Sequence, residues 1–246
     1  MNNAAAFVWN SAGLTDVGRV RHVNEDAFAS LPEIGLWVVA DGMGGHTAGD
    51  LASRAVVDSL STIAAHSRMS SFIDDVEDRL LLVNRRLALE AAGRSQQTTI
   101  GSTVVVLLAA GHHCACMWSG DSRAYRLRGG VLQAVSRDHS QTEEMIEQGL
   151  LSRENAESHP AANVITRAVG ADKELYVDVQ LEELQDGDRY LLCSDGLYKE
   201  VEEKEIASHM QKGSCEEICT ELIELALERG SRDNVTVVAI EFLASQ

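Results

Sequence analysis

The sequence predicts an α+β fold in which a mainly antiparallel sheet core is covered by helices. Three observations carry that expectation. Short β-rich segments cluster in the middle of the chain and are separated by turn residues, which favours hairpins and antiparallel pairing. Helical segments come in pairs rather than one after each strand, against a doubly wound parallel sheet. Only two prolines occur in 246 residues and no Ser/Pro or Gly/Ser tract interrupts them, so one domain over residues 1–246 is expected.

Taken in order, the first third opens on loop and strand material and then the strand "GLWVVA", which runs into Asp41. "HTAGDLASRAVVDSLSTIAAHS" and "SFIDDVEDRLLLVNRRLALEAAG" follow, both with apolar residues at helical spacing, and Gly93 is the expected stop of the second. "STVVVLLAA", "CACMWSG", "RAYRLR" and "VLQAVS" are short strands, with Gly129-Gly130 predicting a tight hairpin. From Asp138 to about Gly170 the pattern turns polar and helical, an excursion from the sheet. "LYVDVQLEEL", "DRYLLCS" and "NVTVVAIEFL" return to strand, and helices including "SCEEICTELIELALERG" lie between the last two.

Composition narrows the function. The formal net charge of -17 argues against nucleic acid or an anionic membrane as partner, because both would be repelled, and it leaves room for bound cations. The start "MNNAAAFVWNSAG" lacks a basic, apolar leader, and the longest apolar stretch, "TVVVLLAA", is too short to span a bilayer. A cytoplasmic protein is expected. Five cysteines without a CxxC pair suggest neither a disulfide framework nor a zinc ribbon. Cys114 and Cys116 alternate along a strand while Cys215 and Cys219 lie one helical turn apart, so they read as core residues in a reducing compartment.

Four aspartates sit at the edges of predicted strands. Asp41 ends "WVVAD", Asp121 follows "MWSG", Asp195 ends "LLCSD" and Asp233 precedes "NVTVVAI". Any one Asp-Gly pair is an ordinary turn, and Asp186-Gly187, placed before its strand among polar residues, reads as only that. Four acids at strand ends of one sheet core point instead to a shared cleft. Two carboxylates about 4 Å apart repel by roughly 4 kcal/mol at an effective dielectric near 20, so a cluster must take up protons or hold cations. With no His or Cys beside them, all-oxygen ligation suits Mg²⁺ or Mn²⁺, with Ca²⁺ an alternative. Glycine after a strand-end Asp lets a backbone carbonyl approach an ion. Upstream, "RHVNED" sets Arg21 four residues before Glu25 and next to it Asp26; arginine's planar fork suits a phosphoryl group, although such a triplet is also an ordinary solvated surface.

With these residues the chain resembles the bacterial branch of the PP2C (PPM) metal-dependent protein phosphatases. "RHVNEDAF", "VVADGMGGHTAGDLAS", "GSTVVVLL", "SGDSRAYRLR", "DHSQ", "HPAANVITRAVG", "LLCSDGLY" and "SRDNVTVVAI" occur in family order from about Thr15 to Phe242. The resemblance implies a four-layer α-β-β-α sandwich and hydrolysis of phosphoserine and phosphothreonine in proteins, opposing a Ser/Thr kinase. It implies two Mn²⁺ or Mg²⁺ ions, bridged by Asp41, with the Gly42 carbonyl on one and Asp195 and Asp233 on the other. Glu25 and Asp26 would act through metal-bound waters, Arg21 would bind phosphate, and Asp121 with Asp195 would hold a weaker third ion. Residues 138–170 match a flap that influences substrate choice. The resemblance also implies a monomer, as compact one-domain enzymes of this type often are.

One departure stands out. Where eukaryotic relatives read Asp-Gly-His with a proposed general acid, this chain has Met43, which donates no proton, so a metal-bound water or His46 takes that place. Bacterial relatives share the Met. Other hydrolase readings lack their motifs: "DGD" at 186–188 precedes a strand instead of following one, "DGMGGHTAG" is not G-x-G-x-x-G, and no G-x-S-x-G occurs. A phosphatase-like binding module without catalysis would be expected to lack a metal acid, and none is missing.

Overall fold

A computed structural model describes residues 7–44, 48–93, 99–156 and 158–245. Strands β1 (Phe7–Asp16), β2 (Asp26–Leu31) and β3 (Leu36–Met43) lead into helices α1 (Ala48–Leu60) and α2 (Met69–Ala92). Then come β4 (Gly101–Ser102), β5 (Val104–Ala110), β6 (His113–Ser119), β7 (Arg123–Arg128) and β8 (Val131–Ala134). Short helices α3 (Gln141–Glu147) and α4 (Arg153–Ala156) make up the excursion. The chain finishes with β9 (Asp178–Glu183), β10 (Arg189–Cys193), α5 (Asp195–Tyr198), α6 (Glu203–Met210), α7 (Cys215–Glu228) and β11 (Val235–Ala244).

The strands build two antiparallel sheets, one ordered β1-β11-β10-β7-β8 and the other β2-β3-β5-β6-β9, with β4 also paired to β3. Alternation along the strands explains the layering. On β3, Leu36, Val38 and Ala40 pack under α1 and α2, while Trp37 and Val39 face the other sheet. On β5, Val104, Val106 and Leu108 take the helix side and Val105, Leu107 and Ala109 the inter-sheet side. Both faces are buried, so these strands read as continuous apolar runs. Across the sandwich, Leu191, Cys193, Val237 and Ala239 lie under α5–α7, and Tyr190, Leu192, Val238, Ile240 and Phe242 fill the middle. The result is the four-layer α-β-β-α sandwich. Trp9, Trp37, Tyr190 and Phe242 meet edge-on at its centre, with centroids 5.7 to 5.9 Å apart.

Local signals worked as expected at several points. Gly129 and Gly130, with φ of 56° and 81°, make the two-residue turn between β7 and β8. The segment read as helical from "SCEEICTELIELALERG" is α7, and a capping box between Ser214 and Glu217, not anticipated from the sequence, closes its start. The Asp186-Gly187 pair is a turn, its carboxylate accepting from Ala244 N at 2.8 Å. All five cysteines are buried and free. Gly93 does follow α2, but at φ −79° it ends the helix without a left-handed turn. The first helix is shorter than its apolar spacing suggested, and His46 lies outside the described residues. Among the described residues, no helix is long and apolar enough to cross a membrane.

Candidate metal centre

The two sheets bring the predicted acids together at one end. Asp26 on β2 and Asp41 on β3 are directly opposed across the ladder. Asp41 is not the last residue of its strand: Gly42 and Met43 continue β3 by pairing with Ser102 and Gly101 of β4. Ser102 and Thr103 hold the Asp41 backbone at both its N–H and its carbonyl. Its N–H donates to Thr103 Oγ1 at 3.0 Å, and its carbonyl accepts from Thr103 N at 2.8 Å and Ser102 Oγ at 3.0 Å.

Asp26 stitches the sheets together. Its Oδ2 accepts from Ser194 Oγ and Thr236 Oγ1 of the opposite sheet, both at 2.7 Å. Its Oδ1 is buried and has no hydrogen-bond partner among the described residues. Asp195 also differs from expectation: β10 stops at Cys193, and Asp195 opens α5. Its Oδ2 accepts from Lys199 Nζ, one turn along, while its Oδ1 is buried and without a partner among the described residues. Asp121 follows β6, and its Oδ1 is in the same condition. Asp233 accepts from Arg21 Nη2 at 2.8 Å through Oδ2 and from Asn234 N at 2.9 Å through Oδ1.

Close backbone approach seats these groups. A Cβ on Gly42 would fall 2.0 Å from the Gly49 carbonyl, and one on Gly49 would fall 2.5 Å from Glu25 Oε1 and 2.6 Å from the Gly42 carbonyl. The start of α1 therefore rests directly on Glu25 and Gly42, which only glycine permits. A Cβ on Gly196 would sit 2.0 Å from the Asn234 carbonyl, so α5 abuts the strand that Asp233 leads into. Asn234 fastens the loop carrying Arg21: its Oδ1 accepts from Glu25 N at 2.8 Å, and its Nδ2 donates to Val17 O at 2.9 Å and Val23 O at 3.1 Å.

The electrostatics follow from this crowding. Burial, then the charges of Asp26, Asp195, Asp121 and Asp233, push the Asp41 carboxyl well above the usual carboxylate range. Burial raises Asp26 to about 7, against the pull of the Thr236 and Ser194 hydroxyls and with help from Asp195 and Asp233. Burial, Asp195 and Asp138 raise Asp121 to about 7. Asp26, Asp41 and Asp121 are thus poor places for bare negative charge.

Among the described residues, no three acidic, His or Cys side chains stand as a ready-made ligand set. Asp195 and Asp233 instead turn to Lys199 and Arg21. The site nevertheless suits a hard divalent cation. Three buried carboxylate oxygens, on Asp26, Asp121 and Asp195, lack among the described residues the partner that buried acceptors require, and the donors are all oxygen.

A cavity of about 460 Å³ opens beside the cluster, lined by Asp121, Arg123, Asp138, Asn163, Tyr198 and Lys199 among others. Arg123 grips Asp138 with two bonds, of 2.9 and 2.7 Å, and its guanidinium carbon lies 3.6 Å from the Tyr198 ring centroid. That grip anchors the start of the 138–170 segment.

Sequence reasoning brought Arg21, Glu25, Asp26, Asp41, Gly42, Asp121, Asp195 and Asp233 to this region. It missed Ser194, Thr236, Asn234, Gly49 and Lys199. Their signal was position inside the motifs "LLCSDGLY", "SRDNVTVVAI" and "HTAGDLAS", or one turn beyond Asp195.

Comparison with known proteins gives the class. The family model described as Protein phosphatase 2C matches residues 19–233. The serine/threonine phosphatase stp of Listeria monocytogenes is 35% identical over 235 residues, covering 92% of this chain and 93% of that protein. The solved structure of PppA, described as a key regulatory component of T6SS in Pseudomonas aeruginosa, superposes with a TM-score of 0.89 at 42% identity, covering 96% of this chain and 100% of that one. The catalytic domain of the phosphatase PstP, solved in complex with two manganese ions, gives 0.87 at 32% identity over 96% of this chain and 99% of that one. This chain belongs to the protein phosphatase 2C family. It is a protein serine/threonine phosphatase.

Proposed function

We propose that the chain dephosphorylates phosphoserine and phosphothreonine at the acidic cluster, using a pair of Mn²⁺ or Mg²⁺ ions held by Asp41, the Gly42 carbonyl, Asp195 and Asp233. Asp121 with Asp195 would offer a weaker third position. The observation that carries this reading is the set of orphaned carboxylate oxygens on Asp26, Asp121 and Asp195 around a repelling Asp41. When bound, such ions supply positive charge for the phosphoryl oxygens and acidify a solvent nucleophile.

The chain's own residues do the rest. Arg21, half exposed on a loop fastened by Asn234, exchanges Asp233 for the phosphate oxygens and orients the ester. Glu25 and the free Oδ1 of Asp26 accept hydrogen bonds from solvent in the cluster and so align it. Met43 has no proton to give, so the departing serine or threonine oxygen takes its proton from solvent. The neighbouring cavity fits residues flanking the phosphorylated one, and the 138–170 segment that walls it acts as a flap selecting among them.

A phosphatase of this specificity consumes the product of Ser/Thr kinases, so it opposes such a kinase and acts on that kinase's targets. Five buried reduced cysteines suit a cytoplasmic location, and a monomer is part of the same reading. Hydrolysis of p-nitrophenyl phosphate and of a phosphothreonine peptide, with Mn²⁺ and with EDTA, tests the function. Turnover that needs Mn²⁺ and stops with EDTA supports it; turnover indifferent to EDTA, or none on either substrate, removes it.

A further inference from the structure

We propose that Lys199 is a positioning residue, the chain's own cation on the Asp121–Asp195 side of the acid cluster, and that it ties the 138–170 segment to that side. The proposal rests on the metal-centre reading above and says which part of that centre the protein fills for itself.

Lys199 caps α5, the one-turn helix that Asp195 opens. Its N–H donates to the Asp195 carbonyl at 3.1 Å, so the backbone turn is closed before the side chain acts. The side chain then folds back, and Nζ donates to Asp195 Oδ2. The same ammonium donates to Asn163 Oδ1 at 2.8 Å, in the segment that walls the cavity. Asp121 lines that cavity too. One buried-stemmed lysine therefore joins a proposed metal ligand to the proposed flap.

The competition is local. Lys199 occupies one oxygen of Asp195, while Oδ1 of Asp195 and Oδ1 of Asp121 have no partner among the described residues. A cation settling between Asp121 and Asp195 must displace the ammonium or share the carboxylate with it, against charge repulsion at contact distance. Displacement also breaks the Asn163 contact. Two consequences follow: the position between Asp121 and Asp195 takes an ion less readily than it would without the lysine, and loading that position loosens the segment.

Equilibrium dialysis against Mn²⁺ with metal analysis, paired with hydrogen exchange over residues 158–166, tests this in the parent chain and in Lys199→Gln, Lys199→Arg and Asn163→Ala. Lys199 is 38% exposed, so its replacement leaves the core intact, and circular dichroism verifies the fold. In Lys199→Gln, the affinity for a third Mn²⁺ should rise about tenfold or more and exchange over 158–166 should quicken. Lys199→Arg should restore parent behaviour in both measurements. Asn163→Ala should quicken exchange and leave the third-ion affinity unchanged. If Lys199→Gln quickens exchange but binds the third ion no better than the parent, the lysine is only a pin and the proposal is overturned. A parent chain that binds three ions as tightly as the variant overturns it as well. Failure of the parent to bind Mn²⁺ at all would be a different result, overturning the metal-centre reading and this inference with it.

Discussion

Asp188 and Asp195 stand at the two ends of β10, and the fold treats them in opposite ways. Asp188, with its side chain fully buried, receives Arg128 Nε at 2.7 Å, Arg128 Nη2 at 2.6 Å and Gln185 N at 2.8 Å. Both of its oxygens are satisfied by an arginine from the neighbouring strand. Asp195 shares one oxygen with a lysine, and its other oxygen, like one on Asp26 and one on Asp121 nearby, is buried without a partner among the described residues. A chain able to neutralise a buried carboxylate at one end of a strand leaves several repelling one another at the other end. Unpaired buried acids are costly, so the second arrangement is one that stability alone would remove. The structural end is self-contained, and the functional end awaits a cation.

The sharpest way to break this contrast is to delete an acid from each end. Asp41→Ala, or Asp195→Ala, should lower Mn²⁺-dependent kcat/KM by more than about 10³-fold while the metal-free protein stays as stable as the parent or becomes more so. Asp188→Ala should do the reverse. Chemical denaturation should show a loss of about 3 kcal/mol, the low end for breaking a buried pair because Arg128 is 25% exposed and can be rehydrated, and the folded fraction should keep its activity.

Next in size is a pH effect with a definite sign. In the metal-free protein Asp26 and Asp121 are raised from the ordinary 3.8 to about 7, so between those values the folded state binds more protons than the unfolded one. Stability should be greatest at the acid side of that window and fall as pH rises through it, other groups being equal. Melting curves should therefore show Mn²⁺ raising Tm more at about pH 8 than at about pH 5, because protons and cations compete for the same oxygens. An equal Mn²⁺ shift at both pH values would count against a shared site. The smallest effect belongs to Arg21→Ala. With half its side chain exposed, Arg21 should contribute about tenfold to KM and less to kcat, measured on a phosphothreonine peptide, with Arg21→Lys falling between.

Much of this was legible in the chain. The fold class came from hairpin chemistry such as Gly129-Gly130 and from paired helices, because turn residues and helical spacing act locally. The acids were found for a related reason: an apolar run that stops at Asp41 or Asp195 is visible without knowing the partner strand. What lay beyond reach depends on contacts between distant residues. Asp26 meets Ser194 and Thr236 only because two sheets stack face to face, and nothing in their spacing of 168 and 210 residues announces it. The extension of β3 past Asp41 depends on the two-residue strand β4, too short to signal itself. The fold of Lys199 back onto Asp195 required knowing that α5 begins at the aspartate, whereas the apolar pattern carried the strand up to it.

Crystals grown with Mn²⁺ and measured for anomalous scattering test the central claim most directly. The account expects two manganese peaks within coordination reach of Asp41, Asp195 and Asp233, and none on Asp188. Saturating Mn²⁺ with no peak at the cluster, or with Asp41 facing away from those that appear, would contradict it.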